Sequence, residues 1–282
     1  MTGSGDAARD AISQVWDTEN GERWAADANR RDRVLAPVGE ALLATARLQP
    51  GEHVLDIGCG CGATTLQAAA EVAPGGTATG IDISAAMLGV ARARQAADGP
   101  GNARFVHADA QTHPVPGPFD AAISRFGTMF FNDPVTAFLT LGAGLRPGAR
   151  LVMATWQPLA ANQWLTMPGA ALLRHGTLPD TGQGPGMFAQ SEPAVVERVL
   201  TEAGFARIQL EDVRLRLTFG ADLDEAIDYL SHSGPGRTVL ATVPEADRDA
   251  ALDDVRAALA DHADACGVHL EAAIWLITAT RP

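Results

Sequence analysis

From about residue 52 onward, short apolar runs alternate with Ala-rich stretches of helical character. The runs "EHVLDI" (52–57), "TATGID" (77–82), "ARFVHA" (103–108), "FDAAIS" (119–124) and "ARLVMATW" (149–156) read as strands. Between them, residues 62–72, 84–97 and 133–145 read as helices. This order predicts βαβ units and a doubly wound α/β fold, its mainly parallel sheet covered on both faces. Ser84 is placed to cap the second of these helices, and Pro-Gly pairs at 74–75, 100–101 and 147–148 mark turns ahead of the next strand.

Beyond Trp156 the alternation gives way to a Pro- and Gly-rich stretch, 157–191, with one short helix expected at 165–174. A helix, "SEPAVVERVLTEAGF", then leads into "ARIQLEDVRLRLTF", whose later residues alternate polar and apolar as a half-exposed strand does. Residues 220–266 again read as helical, and "VHLEAAIWLITATRP" reads as a last strand. The expected organisation is one domain over 1–282: a helical cap at 1–49, a core at 50–156 and lid segments at 157–191 and 220–266.

Composition narrows the chemistry. No window reaches the roughly 18 consecutive apolar residues of a membrane span, and the start "MTGSGDAARD" lacks the basic and apolar regions of a secretory signal, so a cytoplasmic protein is expected. The net charge of −13 disfavours nucleic acid as a partner. Every basic residue apart from the histidines is Arg; without Lys there is neither a Walker A loop nor a Schiff-base lysine for pyridoxal phosphate. Three cysteines, at 59, 61 and 266, fit a reducing compartment and fall short of a four-ligand zinc site.

The stretch "VLDIGCGCGATTL" (54–66) sets a glycine-rich turn between a strand and a helix, where backbone N–H groups approach an anionic or polar ligand closely. A metal on Cys59 and Cys61 lacks neighbouring ligands at metal spacing. A dinucleotide is the stronger rival, since Gly58, Gly60 and Ala63 satisfy G-x-G-x-x-[G/A]. Asp56 tells against it, because a carboxylate just before the turn would face a pyrophosphate; a ligand bearing an amino group suits it better. Asp82 in "GIDIS" lies about 20 residues past Gly62, where a carboxylate accepts the hydroxyls of a ribose or, alternatively, caps the following helix. Asp109 in "VHADA" is suited to reading an adenine amino group, or is a turn residue.

On "VLDIGCGCG", "GIDIS", "HADA", "FDAAISRFG" and "LRPGARLVMATW", in this order, the chain resembles the class I S-adenosylmethionine-dependent methyltransferases, and within them the small-molecule branch of quinone-biosynthesis enzymes. The resemblance covers about residues 50–156. It implies a Rossmann-like, seven-stranded sheet with the last strand antiparallel, S-adenosylmethionine as cofactor and S-adenosylhomocysteine as product. It implies that the turn of Gly58, Gly60 and Gly62 contacts the methionine portion, that Asp82 takes the ribose hydroxyls, and that Asp109 and Ala110 hold the adenine, with Asp56 and Ile83 also among the cofactor-binding residues. Ser124 and Arg125 would stand at the mouth where the methyl group meets its acceptor.

The implied activity is methyl transfer to the O, N or C atom of a small organic acceptor. The alternatives are a protein of this fold that binds the cofactor without methylating and, further off, an NAD-dependent oxidoreductase. Trp24, Phe126, Trp156, Trp164 and Tyr229 are the expected acceptor walls. His232 and Arg125 are the candidates for chemistry, although Arg stays protonated and makes a poor base, so that an orienting role or a local ion pair suits it better. Methyl transfer is an in-line displacement in which positioning carries much of the catalysis. No metal is expected; the partner is a small molecule, and a homodimer is an open option.

Overall fold

The order of elements follows the apolar pattern closely through Trp156. The computed structural model describes residue 16 and residues 18–178, 185–232 and 234–282. Parts of the expected cap (1–15 and 17) and of the expected lid segments (179–184 and 233) therefore lie outside the described residues. The first five strands are β1 (His53–Ile57), β2 (Thr77–Asp82), β3 (Ala103–His107), β4 (Phe119–Arg125) and β5 (Leu145–Trp156). Their helices are α1 (Glu19–Ala26), α2 (Ala28–Ala46), α3 (Ala63–Glu71), α4 (Ala85–Asp98) and α5 (Pro134–Ala143). Further along come α6 (Gln163–Leu172), α7 (Pro193–Glu202), β6 (Ala206–Gly220), α8 (Leu223–His232), α9 (Gly234–Leu240), α10 (Arg248–Leu259), β7 (Ala263–Asp264) and β8 (Gly267–Thr280).

The strands lie in the order β3-β2-β1-β4-β5-β8-β6, with the two-residue β7 paired to β8 beside this path of seven. Strands β1 to β5 pair in parallel. Strand β8 runs against β5: Gly148 and Ala149 exchange hydrogen bonds with Arg281, whereas the Gln157 N–H reaches the Ala273 carbonyl, so one strand ascends as the other descends.

The central parallel strands β1 and β4 are buried on both faces along nearly their whole length, whereas the edge strand β3 exposes Arg104 and His107. Alternation sends Leu55 and Ile57 to the side where α5 and α7 supply Phe138, Leu141, Val199 and Leu200. Val54 and Asp56 therefore point to the opposite side, where α2 packs on β4 and β5, α3 on β1 and β2, and α4 on β2 and β3.

Two expectations are corrected. The Pro-Gly pair at 147–148 does not precede the fifth strand but lies inside it: Phe119 pairs with Leu145 and Ala121 with Arg150, and the extra residues leave the ladder as a bulge with Gly148 at φ +83°. The fifth helix ends at Ala143 rather than 145, where Gly144 follows. By its internal contacts the chain divides into two compact units: Met1–Trp156 with Gly184–Val213 and Trp275–Pro282, and Gln157–Gln183 with Arg214–Ile274.

Candidate active site

Strand β1 ends at Ile57, and the glycine turn runs from there to the first residue of α3. Gly58 has φ +66°, and a Cβ there would stand 2.7 Å from the Gly127 Cα, so a side chain is barred both by conformation and by a crossing backbone. Gly60, at φ +54°, is different: a Cβ would meet only the Met87 sulfur at 3.7 Å, so the turn keeps its backbone open there. Gly62 is the N-cap residue of α3, in the left-handed region.

Asp56 lies beneath this turn with no exposed surface. Its Oδ2 accepts hydrogen bonds from the Thr64 hydroxyl (2.7 Å) and the Thr65 hydroxyl (2.6 Å), both in the first turn of α3. Its Oδ1 is buried with no hydrogen-bond partner. Burial raises its pKa, against the opposing pull of the two threonine bonds and of the Arg125 charge. A buried acceptor with an unused oxygen is a place for a donor that the protein itself does not supply.

Asp82 ends β2 and cross-links the neighbouring turn. Its Oδ2 accepts from the Gly60 N–H and its Oδ1 from the Ser84 N–H, each at 2.8 Å. It is 6% exposed, and desolvation raises its pKa while the backbone bonds counteract. Ser84, not Asp82, caps α4, accepting from the Met87 N–H. The Ile83 N–H adds a third backbone hydrogen bond to the Asp82 carboxylate. The carbonyl of Ile83 lies 2.8 Å from the His107 Nε2.

At the end of β3, the Asp109 Oδ1 accepts from the Gln111 N–H at 2.9 Å and from the Gln111 side-chain amide at 3.2 Å. The Gln111 Oε1 in turn accepts from the Asn132 N–H at 2.7 Å, and the buried Asn132 Nδ2 has no partner. Ala110 is buried in the core beside Val115 and Phe119. Gln111 and Asn132 escaped the sequence reading; the buried polar network they form joins chain segments 21 residues apart.

At the end of β4, the Ser124 hydroxyl is fully buried and donates to the Ile57 carbonyl at 2.8 Å, so it ties two strand ends rather than facing a ligand. Arg125 makes the local ion pair: its Nη2 donates to the Asp32 Oδ1 at 3.0 Å. Phe126 has φ +66°, an outlier for a bulky side chain, and stacks face to face on Trp156 with centroids 4.1 Å apart and planes at 11°. Trp24 sits against Trp16 (5.8 Å, edge-on) and beneath the Arg31 guanidinium (4.2 Å). Asp32, Arg94 and Asn29, which join α2 to α4, are further residues that sequence alone did not single out.

In the second unit, Trp164 stacks on Phe219 and Phe219 meets Tyr229, both at 5.9 Å between centroids. The Trp164 Nε1–H donates to the Asn162 Oδ1. His232, the other candidate for chemistry, is 64% exposed at the end of α8 and pairs with Asp228 one turn back. The cysteines of the turn are buried thiols: burial pushes Cys59 well above the usual thiol range and Cys61 up to about 11. Among the described residues, no group of three or more His, Cys, Asp and Glu could hold a metal.

These donors and acceptors fit S-adenosylmethionine. The unused Asp56 oxygen matches an amino group, the Asp82 carboxylate at the end of β2 matches ribose hydroxyls, and the open backbone at Gly60 leaves room for the chain between them. A family model described as a methyltransferase domain matches residues 54–148. Nocamycin O-methyltransferase of Saccharothrix syringae is 30% identical over 198 residues, 64% of this chain and 69% of that protein. Demethylmenaquinone methyltransferase of Symbiobacterium thermophilum is 39% identical over 88 residues, which is 31% of this chain and 30% of that enzyme. Among solved structures, the YcgJ protein of Bacillus subtilis shares the fold with a TM-score of 0.57 at 17% identity, over 87% of this chain and 98% of that one.

Proposed function

We propose, for a chain that belongs to the class I S-adenosylmethionine-dependent methyltransferases, that its methyl acceptor is a hydroxyl group on a small, largely apolar molecule of specialised metabolism. The observation that carries the cofactor half is the buried Asp56 carboxylate with one unused oxygen under an open glycine turn. The acceptor half is supported by the relative named for O-methylation of nocamycin and by the stacked Phe126–Trp156 pair at the carboxyl ends of β4 and β5, the end of a parallel sheet where ligands bind.

S-adenosylmethionine supplies an electrophilic methyl carbon on a sulfonium. The chain's own residues fix where that carbon stands: Asp56 and the turn orient the amino-acid end, Asp82 the ribose, and Asp109 with Ala110 the adenine. Phe126 and Trp156 present an apolar wall, along which an acceptor is held in line while bulk water is excluded. The protonated Arg125 is committed to Asp32 and takes no proton from the acceptor. A small molecule rather than nucleic acid as partner belongs to the same proposal, on the charge of −13, and so does a cytoplasmic location, on the three free cysteines that suit a reducing compartment. Among the described residues no helix is long and apolar enough to cross a membrane.

Calorimetry with S-adenosylhomocysteine and with NAD, followed by transfer of a labelled methyl group to a panel of phenols, quinones, amines and carboxylic acids, tests this. Binding of the homocysteine product and labelling of a hydroxyl are expected. Labelling confined to amines or carbon acids would overturn the acceptor class, and tight NAD binding without response to the homocysteine product would overturn the whole reading.

A further inference from the structure

We propose that Asp32 is an ionic latch that holds the N-terminal helices over the cofactor turn, with Arg94 and Arg125 as the positioning residues that grip it, and that breaking this latch limits the exchange of cofactor and product. The proposal rests on the cofactor reading above and adds to it a controlled route of entry and exit.

The grip comes from both flanks of the site. Asp32 on α2 offers its Oδ2 to the Arg94 Nη1 of α4 at 2.7 Å and its Oδ1 to the Arg125 Nη2 at the end of β4 at 3.0 Å. Arg94 does more than pair: its Nη2 donates to the Asn29 Oδ1 at 2.7 Å, and its Nη1 also donates to the Cys61 carbonyl of the glycine turn at 3.0 Å. Arg125 reaches one turn further along α2, to the Leu35 carbonyl at 3.4 Å. Two arginines therefore hold α2 at three successive points, and one of them holds the cofactor turn with the same guanidinium.

The helix ahead of the latch covers the ribose side. A Cβ on Gly21 of α1 would collide with the Ser84 hydroxyl oxygen, so α1 touches the turn in which Asp82 is fixed. Trp16 bridges from Trp24 of α1 to Phe130, 5.8 Å and 4.9 Å between centroids. Ala28, Cys61 and Met87 form one small buried cluster beneath these rings, joining cap, turn and α4. The cap thus runs from Ser84 across Cys61 to Phe130, with a charged fastening at Asp32. The side chains of Asp32, Arg94 and Arg125 are 23%, 24% and 14% exposed, which shields the fastening from solvent without sealing it.

A carboxylate shared by two guanidiniums in this setting is a charge-assisted, cooperative contact rather than a surface ion pair. Asp32→Asn keeps the volume and removes the charge, and Asp32→Glu keeps the charge on a longer stem. Stopped-flow tryptophan fluorescence with S-adenosylhomocysteine should show dissociation about tenfold faster for Asp32→Asn, the size expected when partly buried charged hydrogen bonds become neutral, with Asp32→Glu falling between it and the wild type. Raising sodium chloride from about 0.05 to 1 M should speed dissociation from the wild type and leave Asp32→Asn nearly unmoved. Without any ligand, amide exchange over 18–46 should quicken in Asp32→Asn while the strands stay protected.

A purely structural role would lower thermal stability without altering the salt response. Unchanged dissociation together with unchanged exchange in Asp32→Asn would overturn the latch. Should that variant fail to fold, Arg94→Gln, which leaves the Arg125 grip in place, must itself speed dissociation or the latch is refuted. A wild-type protein that does not bind S-adenosylhomocysteine would overturn the cofactor reading instead, a result visible before any variant is made.

Discussion

Asp56→Asn should leave the protein as stable as the wild type or more so, while impairing cofactor binding. The carboxylate is fully buried, one oxygen holds two hydroxyl hydrogen bonds, and the other holds none. Replacing it by the amide turns two bonds to a charged acceptor into bonds to a neutral one, a loss of about 2 kcal/mol in all. Against this stands the desolvation of a buried charge, which in proteins amounts to several kcal/mol and is only partly offset by Arg125. The unpaired polar atom is present in both proteins and drops out of the difference. The balance favours the amide by about 1–3 kcal/mol at neutral pH.

The pH dependence gives the sign an independent check. Burial raises the folded-state pKa of Asp56 above its ordinary 3.8, so between the two values the native state binds more protons than the unfolded state. Wild-type stability contributed by this group is therefore greatest at low pH and falls as pH rises through the raised value. Asp82 is raised for the same reason, in part by Asp56 itself, so the variant also relieves its neighbour. Urea unfolding of both proteins from pH 4 to pH 8, without ligand, should show the stability gap opening as pH rises and closing near pH 4. In calorimetry with S-adenosylhomocysteine the variant should lose at least about tenfold in affinity, about 1.4 kcal/mol, because the unused oxygen would have become a donor facing an amino group. An Asn variant less stable than wild type by more than about 2 kcal/mol, with a gap that does not change with pH, would refute the reasoning.

Asp82→Ala removes the acceptor of the Gly60 and Ser84 amides and should weaken S-adenosylhomocysteine binding by about 1–3 kcal/mol in calorimetry; a loss confined to turnover would remove the ribose role. Ser124→Ala should cost about 0.5–1.5 kcal/mol in urea unfolding and leave cofactor affinity unchanged, since its hydroxyl is spent on the Ile57 carbonyl. Trp164→Ala should lower stability by up to about 3 kcal/mol in thermal unfolding, since it removes the ring stacked on Phe219.

The sheet and the glycine turn were legible in the sequence because they are local. Apolar runs of strand length, an acidic residue directly before three spaced glycines, and Ser84 ahead of its helix each express themselves within a dozen residues. What stayed hidden depends on distance. The Arg94–Asp32 contact spans 62 residues and the Arg125–Asp32 contact 93, so no window could show that an arginine at the mouth of the site belongs to a latch. Ser124 illustrates the opposite error: its position at the end of β4 is as expected, but only the register of β4 on β1 shows that its hydroxyl turns inward. The bulge in β5 was misread because Pro147-Gly148 has the same signature whether it precedes a strand or interrupts one. The division at Trp156 was seen as a change of composition, yet composition does not reveal that residues 214–274 share a unit with 157–183.

The strained backbone at Phe126 links the two halves of the proposed chemistry. A phenylalanine at φ +66° costs about 1–3 kcal/mol, which persists only where neighbours overdetermine it. Here they do. The Phe126 N–H is held by the Ala154 carbonyl of β5, and the preceding Ser124 hydroxyl is held by Ile57. The following Gly127 is pressed so close to Gly58 and the Ile57 carbonyl that neither glycine could carry a side chain. The ring then has one place to go, flat against Trp156. Besides Ala154, the residues that fix this segment are Ile57, the last of β1, and Gly58, the first of the cofactor turn. A bound cofactor that stiffens the turn would therefore stiffen the aromatic wall through these contacts, and by reciprocity an acceptor held against the wall would tighten cofactor binding by the same factor.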